Sequence, residues 1–342
     1  MADRALLHRC KRQEIASAAA RDDFQWQAAS EPQGTDMTTP PVDTLDASVS
    51  AAVPGTAMSA RPAGLAMGAV RLRVRDMARS LAFYTRTVGL TLLGPGREGI
   101  VRLGAGQCVI VELEEAPDAR PRPRGSAGLF HVAILMPDRP ALAVVLRRLV
   151  ALGVRLGASD HIVSEALYLD DPDGNGIEIY RDRPADSWKW AAGTVEMATH
   201  PLDLRDVLAD LPADAPLEAP MPAGTRVGHV HLQVGDLAQA RRFYVDTLGL
   251  DVTTDRYPGA LFVSADGYHH HLGLNVWQSR GAGAAPADSI GLVHFNLELP
   301  DMAAVDALHA RLLAANESVA PAEGGFAVAD PWGMRLHVRA RG

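Results

Sequence analysis

The sequence predicts an α+β protein in which one β-α-β-β-β unit occurs four times. Two observations support this architecture. A strand with alternating apolar residues leads to an Asp at four places, and a helical pattern followed by short strand-like runs comes after that Asp. The units lie near residues 68–114, 128–181, 227–278 and 290–340. Because one such unit is too small to close its own sheet, we expect units to pair around a shared concave face.

The first and third units show the repeat most clearly. Their strand-to-helix stretches align without a gap, from Asp76 to Gly89 and from Asp236 to Gly249. Each has an amphipathic helical pattern between the Asp and the Gly, and the Gly is the expected helix end. The other two units open with shorter copies of the strand, at residues 130–138 and 293–301.

The remaining strands follow each helix. In the second unit we expect them at roughly 153–157, 163–169 and 175–180. A long connection separates the second unit from the third, so the units can pair in more than one order. We therefore expect two domains of two units each, at residues 66–182 and 226–341, joined by a linker at residues 183–225.

The N-terminal residues 1–65 have a different composition. They are rich in Ala, Ser, Thr, Pro, Asp and Gly and show no sustained periodicity. Such a segment buries too little apolar surface to offset the entropy of ordering, so we expect a disordered extension. Met37 and Met58 are alternative start positions within it.

Composition excludes several classes of function. The 342 residues carry 33 Lys+Arg and 41 Asp+Glu, a formal net charge of −8, which argues against non-specific binding to nucleic acid or to an anionic membrane surface. No apolar run approaches the length of a membrane span. Two cysteines, Cys10 and Cys108, cannot form a disulfide framework, so we expect a reducing, cytoplasmic environment.

Three features together resemble the vicinal oxygen chelate superfamily, and within it the bacterial catechol 2,3-dioxygenases most. They are the four units, the Phe-Tyr pairs at residues 83–84 and 243–244, and the Asp-Pro-Asp-Gly-Asn-Gly-Ile-Glu segment at 171–178. The resemblance covers about residues 66 to 340. It implies four βαβββ modules that pair into two curved, mixed-sheet half-barrels, the glyoxalase-like fold. It also implies a divalent metal ion with ligands on the first and last strands of units, and homo-oligomers are common in this superfamily.

The repeat register shows which positions could carry those ligands. Along the four first strands the aligned residues are Ala69, His131, His229 and His294. Along the last strands of the second, third and fourth units they are Glu178, His271 and His337. A single His on an apolar strand is more often structural than a ligand, but three at one register, with a Glu at the second register, favour a metal site.

The stretch from residue 161 to residue 178 resembles the extradiol dioxygenase signature. By that resemblance Glu178 is a metal ligand, and His161 and Tyr168 line the substrate pocket. The competing interpretation is a hairpin turn at Asp171–Gly174 with a solvated Glu178. Turn chemistry explains the turn residues but not His161 and Tyr168 at the matching spacing.

Two pairings of units remain open. Pairing the second unit with the third brings together His131, His229 and Glu178, with His271 as acid/base. Pairing the third with the fourth brings together His229, His294, His271 and His337, with no carboxylate. Chain order favours the second arrangement and the composition of the site favours the first, which we adopt. In the run at residues 268–271, His269 shares a strand face with His271 and is the alternative base.

The leading hypothesis is an Fe(II)-dependent extradiol dioxygenase that acts on a small aromatic diol with O2. Two imidazoles and one carboxylate on one face of the ion are typical of non-haem Fe(II) oxygenases, and the same ligands accept Mn(II). A glyoxalase-like lyase or isomerase with Zn or Ni is the first alternative, although such sites usually contain two carboxylates. The second is a bleomycin-resistance-like binding module, which predicts apolar residues at the ligand positions.

Overall fold

The computed structural model describes residues 61–342. For residues 1–60, the expected disorder therefore lies outside the described residues. Residues 61–65 are described, and Leu65 is buried in the core. Within the described range, no helix has the length and apolar character needed to cross a membrane.

The structure confirms the four β-α-β-β-β units. The first contains β1 (Ala66–Val74), α1 (Met77–Ala82), β2 (Thr91–Pro95), β3 (Val101–Ala105) and β4 (Cys108–Glu115). The second contains β5 (Gly128–Leu135), α2 (Arg139–Ala151), β6 (Gly157–Asp160), β7 (Ser164–Asp170) and β8 (Gly176–Asp182).

The connection between the second and third units has short elements of its own. They are β9 (Trp190–Ala191), β10 (Thr194–Val195), β11 (His200–Pro201) and α3 (Leu204–Ala209). The third unit contains β12 (Arg226–Gln233), α4 (Leu237–Arg241), β13 (Asp251–Thr254), β14 (Ala260–Ser264) and β15 (Leu272–Asn275). The fourth contains β16 (Gly291–Leu299), α5 (Met302–Ala314), β17 (Val319–Ala322), β18 (Gly325–Ala329) and β19 (Arg335–Ala340).

The Asp that follows each first strand is the N-cap of the next helix. In every unit its side chain accepts a hydrogen bond from the backbone N–H three residues further along; the four caps are Asp76, Asp138, Asp236 and Asp301. This bond satisfies one of the unpaired amides at the helix start. The recurring Asp therefore marks the same strand-to-helix turn four times.

One predicted strand is misplaced. We expected the strand after α2 at residues 153–157, whereas β6 begins at Gly157. Gly153 has φ 64° and follows Leu152, the C-cap of the helix. This left-handed residue terminates the helix, and the residues after it lead back to the sheet, so β6 begins later than predicted.

The strands form two large mixed sheets, each built from two units. The first has the order β17-β18-β19-β16-β1-β4-β3-β2 and joins the first unit to the fourth. The second has the order β11-β6-β7-β8-β5-β12-β15-β14-β13 and joins the second unit to the third. Each sheet therefore draws strands from both halves of the chain, and the pairing that we adopted from the composition of the site is the one observed.

The two sheets share one hydrophobic core. Their central strands β1 and β12 pack against each other, and Val70, Leu72, Val230 and Leu232 are fully buried there. Side chains alternate along a strand, so the intervening residues of β12 and of its neighbour β5 face the opposite, concave side of the second sheet. That concave side contains the candidate site.

Candidate metal centre and substrate cavity

One row of residues crosses four strands of the second sheet. Across β7, β8, β5 and β12, Tyr168 pairs with Glu178, Glu178 with Ala133, and Ala133 with His229. Directly paired residues lie on the same face of a sheet, and His131 lies two residues before Ala133 on that face. Ala133 therefore lies between Glu178 and His229 in this row, with His131 adjacent.

The side chains of Glu178, His229 and His131 converge. The Oε2 atom of Glu178 lies 2.9 Å from Nε2 of His131 and 3.1 Å from Nε2 of His229. One ligand atom from each residue lies within 4.8 Å of the others. Within residues 61–342, no other group of three His, Cys, Asp or Glu side chains meets this criterion.

Burial determines the charge states that the site favours. Burial alone would raise the pKa of Glu178, but the neighbouring His229 and His131 outweigh it and hold that pKa well below its usual range. Burial lowers the pKa of His229. The arrangement is thus a buried carboxylate in contact with two imidazoles, and a buried charge of this kind requires a cation or strong hydrogen bonds.

The donor set fits a divalent metal ion. Nε2 of His131 is buried and, among the described residues, has no hydrogen-bond partner, although it lies close to the Glu178 carboxylate. An ion between the two side chains would give this nitrogen a partner. Two imidazoles and one carboxylate, all neutral or anionic, are the ligands that non-haem Fe(II) and Mn(II) sites use.

These residues line a cavity of about 660 Å³. The size is typical of a small-molecule site. Its polar wall contains His131, His229, Glu178, His161, Tyr168 and His270. Its aromatic wall includes Phe130, Phe262 and Trp277, with the rings of Phe130 and Trp277 edge to face at 5.5 Å between centroids. The cavity can therefore accept a flat, apolar ring next to the candidate metal centre.

His161 and Tyr168 form a hydrogen-bonded pair in this cavity. Nδ1 of His161 lies 2.9 Å from the carbonyl oxygen of Ala198, and its Nε2 lies 2.7 Å from the hydroxyl of Tyr168. A carbonyl only accepts, so Nδ1 is the donor and the Tyr168 hydroxyl donates to Nε2. The linker backbone at Ala198 therefore selects the tautomer of His161 and the direction of the Tyr168 hydroxyl.

The cavity contains His270, not His271. The His270 ring packs at 4.1 Å from the His229 ring, centroid to centroid. His271 is outside the lining; its Nδ1 atom lies 2.8 Å from the hydroxyl of Ser264, and burial lowers its pKa to about 3. The structure thus brings five of the six predicted site residues into one cavity and places His270 where we expected His271.

The reason lies in the turn before β15. The prediction treated residues 269–271 as strand, in which alternate side chains share a face. The strand begins only at Leu272, and Asp266 and Gly267 have φ 55° and 72°. The Asp266-Gly267 dipeptide in the sequence could have indicated this turn, because left-handed backbone is incompatible with a continuous strand. The alternation rule therefore does not apply to residues 269–271, which follow the turn and precede the strand.

Sequence reasoning also missed a wall supplied by the linker. Met197 and Thr199, which precede β11, line the cavity. The Thr199 hydroxyl lies 3.4 Å from that of Tyr257, another lining residue. No motif marks these residues. They lie at the site because β11 pairs with β6 at the edge of the second sheet.

The first sheet carries the corresponding positions without a comparable cluster. His294 lies on β16 and His337 on β19, with their rings stacked 3.7 Å apart. Glu112 is the counterpart of Glu178 by strand register, and the guanidinium of Arg71 binds it at 2.7 Å. This carboxylate already has a cation from the chain itself.

Comparison with known proteins identifies the class to which this fold and site belong. The sequence model described as the Glyoxalase/Bleomycin resistance protein/Dioxygenase superfamily matches residues 66–179 and 226–338. These two stretches cover more than half of the chain. The chain belongs to this superfamily.

Among its relatives is a curated protein from Bacillus subtilis (strain 168), catechol-2,3-dioxygenase. The two are 41% identical over 269 residues, which covers 78% of this chain and 93% of that protein. A solved putative dioxygenase from Bacillus subtilis subsp. subtilis str. 168 has a similar fold, with a TM-score of 0.54 at 13% identity over 80% of this chain and 84% of that one. A mutant form of glyoxalase I from Zea mays gives 0.50 at 17% identity, over 81% and 94%.

Proposed function

We propose that this protein is an Fe(II)-dependent extradiol dioxygenase that opens a catecholic ring with O2. The observation that carries the proposal is the convergence of Glu178, His131 and His229 in a cavity that also contains His270 and the His161–Tyr168 pair. The 41% identity to a catechol-2,3-dioxygenase supports the same reaction class. Both oxygen atoms of O2 enter the ring-opened product, so the reaction needs no other reductant.

The ligands proposed for the ion are His131, His229 and Glu178. When bound, Fe(II) would be the electron-transfer partner of the diol and O2 and would lower the pKa of a hydroxyl bound to it. Mn(II) fits the same three ligands. The chain supplies the position and the charge: two neutral imidazoles and one carboxylate leave a net positive centre that attracts an anionic diol.

The aromatic wall orients the substrate. Phe130 and Trp277 present ring edges and faces to the cavity, and Phe262 lies beside His270, with 4.9 Å between ring centroids. A catechol placed between these side chains keeps its hydroxyl groups toward the polar wall, since that wall contains the hydrogen-bonding groups.

Two groups are placed to handle protons. His270 is the residue that we propose as the base for a substrate hydroxyl, in place of His271, because its ring lines the cavity and packs on His229. Tyr168 and His161 lie on the Glu178 side of the cavity, where rotation of the Tyr168 hydroxyl away from Nε2 of His161 would let it donate a hydrogen bond to developing negative charge on oxygen. Nε2 of His161 is the acceptor to which the hydroxyl returns afterwards.

Anaerobic loading with Fe(II) tests this proposal. We expect one Fe(II) per chain, O2 consumption with at least one member of a catechol panel, and formation of the yellow semialdehyde product. Glu178→Gln removes the anionic ligand, so iron content and activity should both be lost. Glu112→Gln is the matched control, since it changes the corresponding residue of the other sheet.

The alternatives predict different results. Bound metal with no O2 consumption across the panel would contradict the dioxygenase proposal and favour a glyoxalase-like lyase or isomerase. A chain that binds no divalent metal would contradict the proposed centre itself and leave a small-molecule binding protein.

A further inference from the structure

A hydrogen-bonded chain of three residues leads away from the cavity behind His270. Nδ1 of His270 lies 2.8 Å from Nδ1 of His269, and Nε2 of His269 lies 2.8 Å from Oδ1 of Asp182. Asp182 is the last residue of β8, the strand that carries Glu178. These hydrogen bonds thus connect the cavity to the end of β8.

The carboxylate at one end determines the direction of each hydrogen bond. A carboxylate only accepts, so Nε2 of His269 is the donor to Asp182. A neutral imidazole has one N–H, and Nδ1 of His269 must therefore accept from Nδ1 of His270. His270 consequently carries its proton on Nδ1, and its Nε2 keeps a free lone pair.

The surroundings of His269 do not change the direction of these two hydrogen bonds. His269 has no exposed surface, and its ring packs on those of Trp188, Tyr180 and Tyr268. Among the described residues, its ring nitrogens have hydrogen bonds only to His270 and Asp182.

A second contact orients the carboxylate. The hydroxyl of Tyr268 donates to Oδ2 of Asp182 at 3.0 Å, and the hydroxyl of Tyr180 lies 2.8 Å from that of Tyr268. Because Oδ2 is occupied by Tyr268, Oδ1 is the oxygen that faces His269. Asp182 is thereby held by its two buried neighbours, although about a fifth of its side chain is exposed.

We propose that Asp182 and His269 are positioning residues that hold His270 in the tautomer whose Nε2 lone pair is available to a ligand in the cavity. The inference rests on the proposed function for its catalytic meaning: a diol hydroxyl would transfer its proton to this Nε2 atom. The tautomeric order itself follows from the Asp182 carboxylate and is independent of the reaction.

The tautomers can be measured directly in the wild-type protein. The full chain, labelled with ¹⁵N-histidine and loaded with diamagnetic Zn(II), should give two-bond ¹H–¹⁵N correlations of an Nε2–H tautomer for His269 and an Nδ1–H tautomer for His270. His269→Gln and His270→Gln assign the peaks. An Nε2–H tautomer at His270 would overturn the inference, whether or not any variant folds.

Asp182→Asn tests the consequence for catalysis. Since the Tyr268 hydroxyl donates to position 182, the amide oxygen of Asn would take that bond and its NH2 would face His269. The NH2 would donate to Nε2 and reverse both tautomers, so Nε2 of His270 would be protonated. We expect kcat to fall about 100-fold or more, within the range contributed by a general base, while KM changes less than about threefold and iron content is unchanged. The reversed tautomers should be visible in the same correlations.

Asp288→Asn is the matched control. It makes the same substitution at an exposed Asp that binds Arg120 at 2.6 Å and does not line the cavity, so kcat should stay within about tenfold of wild type. Wild-type kcat in Asp182→Asn with the tautomers reversed, or unreversed tautomers with a reduced kcat, would overturn the positioning role. Lack of ring-opening activity in the wild type would instead contradict the proposed function, and the tautomer measurement would still decide the order of the hydrogen bonds.

Discussion

The hydroxyl of Tyr84 donates a hydrogen bond to the carboxylate of Asp171 across 3.0 Å in the buried interior. Tyr84 belongs to the first unit and Asp171 to the second, and these units lie in different sheets. The same bond recurs between Tyr244 of the third unit and Asp330 of the fourth, at 2.9 Å. A Tyr–Asp bond therefore joins the first unit to the second and the third unit to the fourth, although the two units of each pair lie in different sheets.

This relationship gives a physical role to two sequence motifs. The Tyr of each Phe-Tyr pair lies in wide helical turns with hydrogen bonds from residue i+5 to residue i, which end at Gly89 in the first unit. The Asp opens the turn before the last strand and also accepts backbone N–H bonds, as Asp171 does from Asp173 and Asn175. One carboxylate thus stabilises a turn and the contact between sheets.

Tyr84→Phe and Tyr244→Phe should each destabilise the fold by about 1–2 kcal/mol, because a buried carboxylate loses a donor that water cannot replace. Urea unfolding of the two variants measures the effect. The double variant should be close to the sum, since the two bonds are in separate places. A change below about 0.5 kcal/mol in both variants would show that the bonds contribute little.

Asp330 should make stability depend on pH. Burial raises its pKa from the ordinary 3.8 to about 6. Since the folded-state pKa lies above the unfolded value, its contribution is fully present below about pH 4 and is lost as the pH rises through about 6, a change of about 2–3 kcal/mol.

Asp330→Asn isolates this contribution, since the variant cannot titrate at that position. As the pH is raised from 4 to 7, the unfolding free energy of the wild type should fall relative to that of the variant. Parallel pH profiles for the two proteins would contradict the assignment.

Ala133→Leu should abolish tight binding of Fe(II) without unfolding the protein. The added carbons would displace the Glu178 and His229 side chains that flank position 133, and such overpacking typically costs about 1–3 kcal/mol of stability. Ala133→Gly, which adds no atoms, is the control at the same position. Equal iron content in both variants would show that metal binding does not depend on the packing at this position.

His270→Gln and His271→Gln separate the two candidate bases. Loss of a general base reduces kcat by about 100- to 10,000-fold, and we expect this for His270→Gln with iron content retained. His271→Gln should keep kcat within about tenfold of wild type, because its ring contacts Ser264 outside the cavity. The reverse result would restore the role that the sequence predicted for His271.

The repeat made much of the fold predictable. Alternation identified the first strands, and the recurring Asp marked the helix starts because its side chain caps them. The same register indicated His131, His229 and Glu178, since a metal site restricts residue types at particular strand positions. Those three residues lie together with His161 and Tyr168 in the structure.

Local patterns could not predict the residues that reach the site from irregular segments. His270 follows a turn with left-handed residues, so strand alternation does not predict the direction of its side chain. Met197 and Thr199 lie in a linker that contains no motif. Such side chains obtain their direction from contacts with other parts of the chain.

The sequence by itself determined the four units, their capping Asp residues and the polar residues available for a metal centre, because these depend on local backbone geometry and side-chain chemistry. Only the tertiary structure decided that the second unit pairs with the third and that His270 faces the cavity. Strand pairing and the Tyr84–Asp171 bond join residues far apart in the chain, and their free energy depends on packing that no single segment contains.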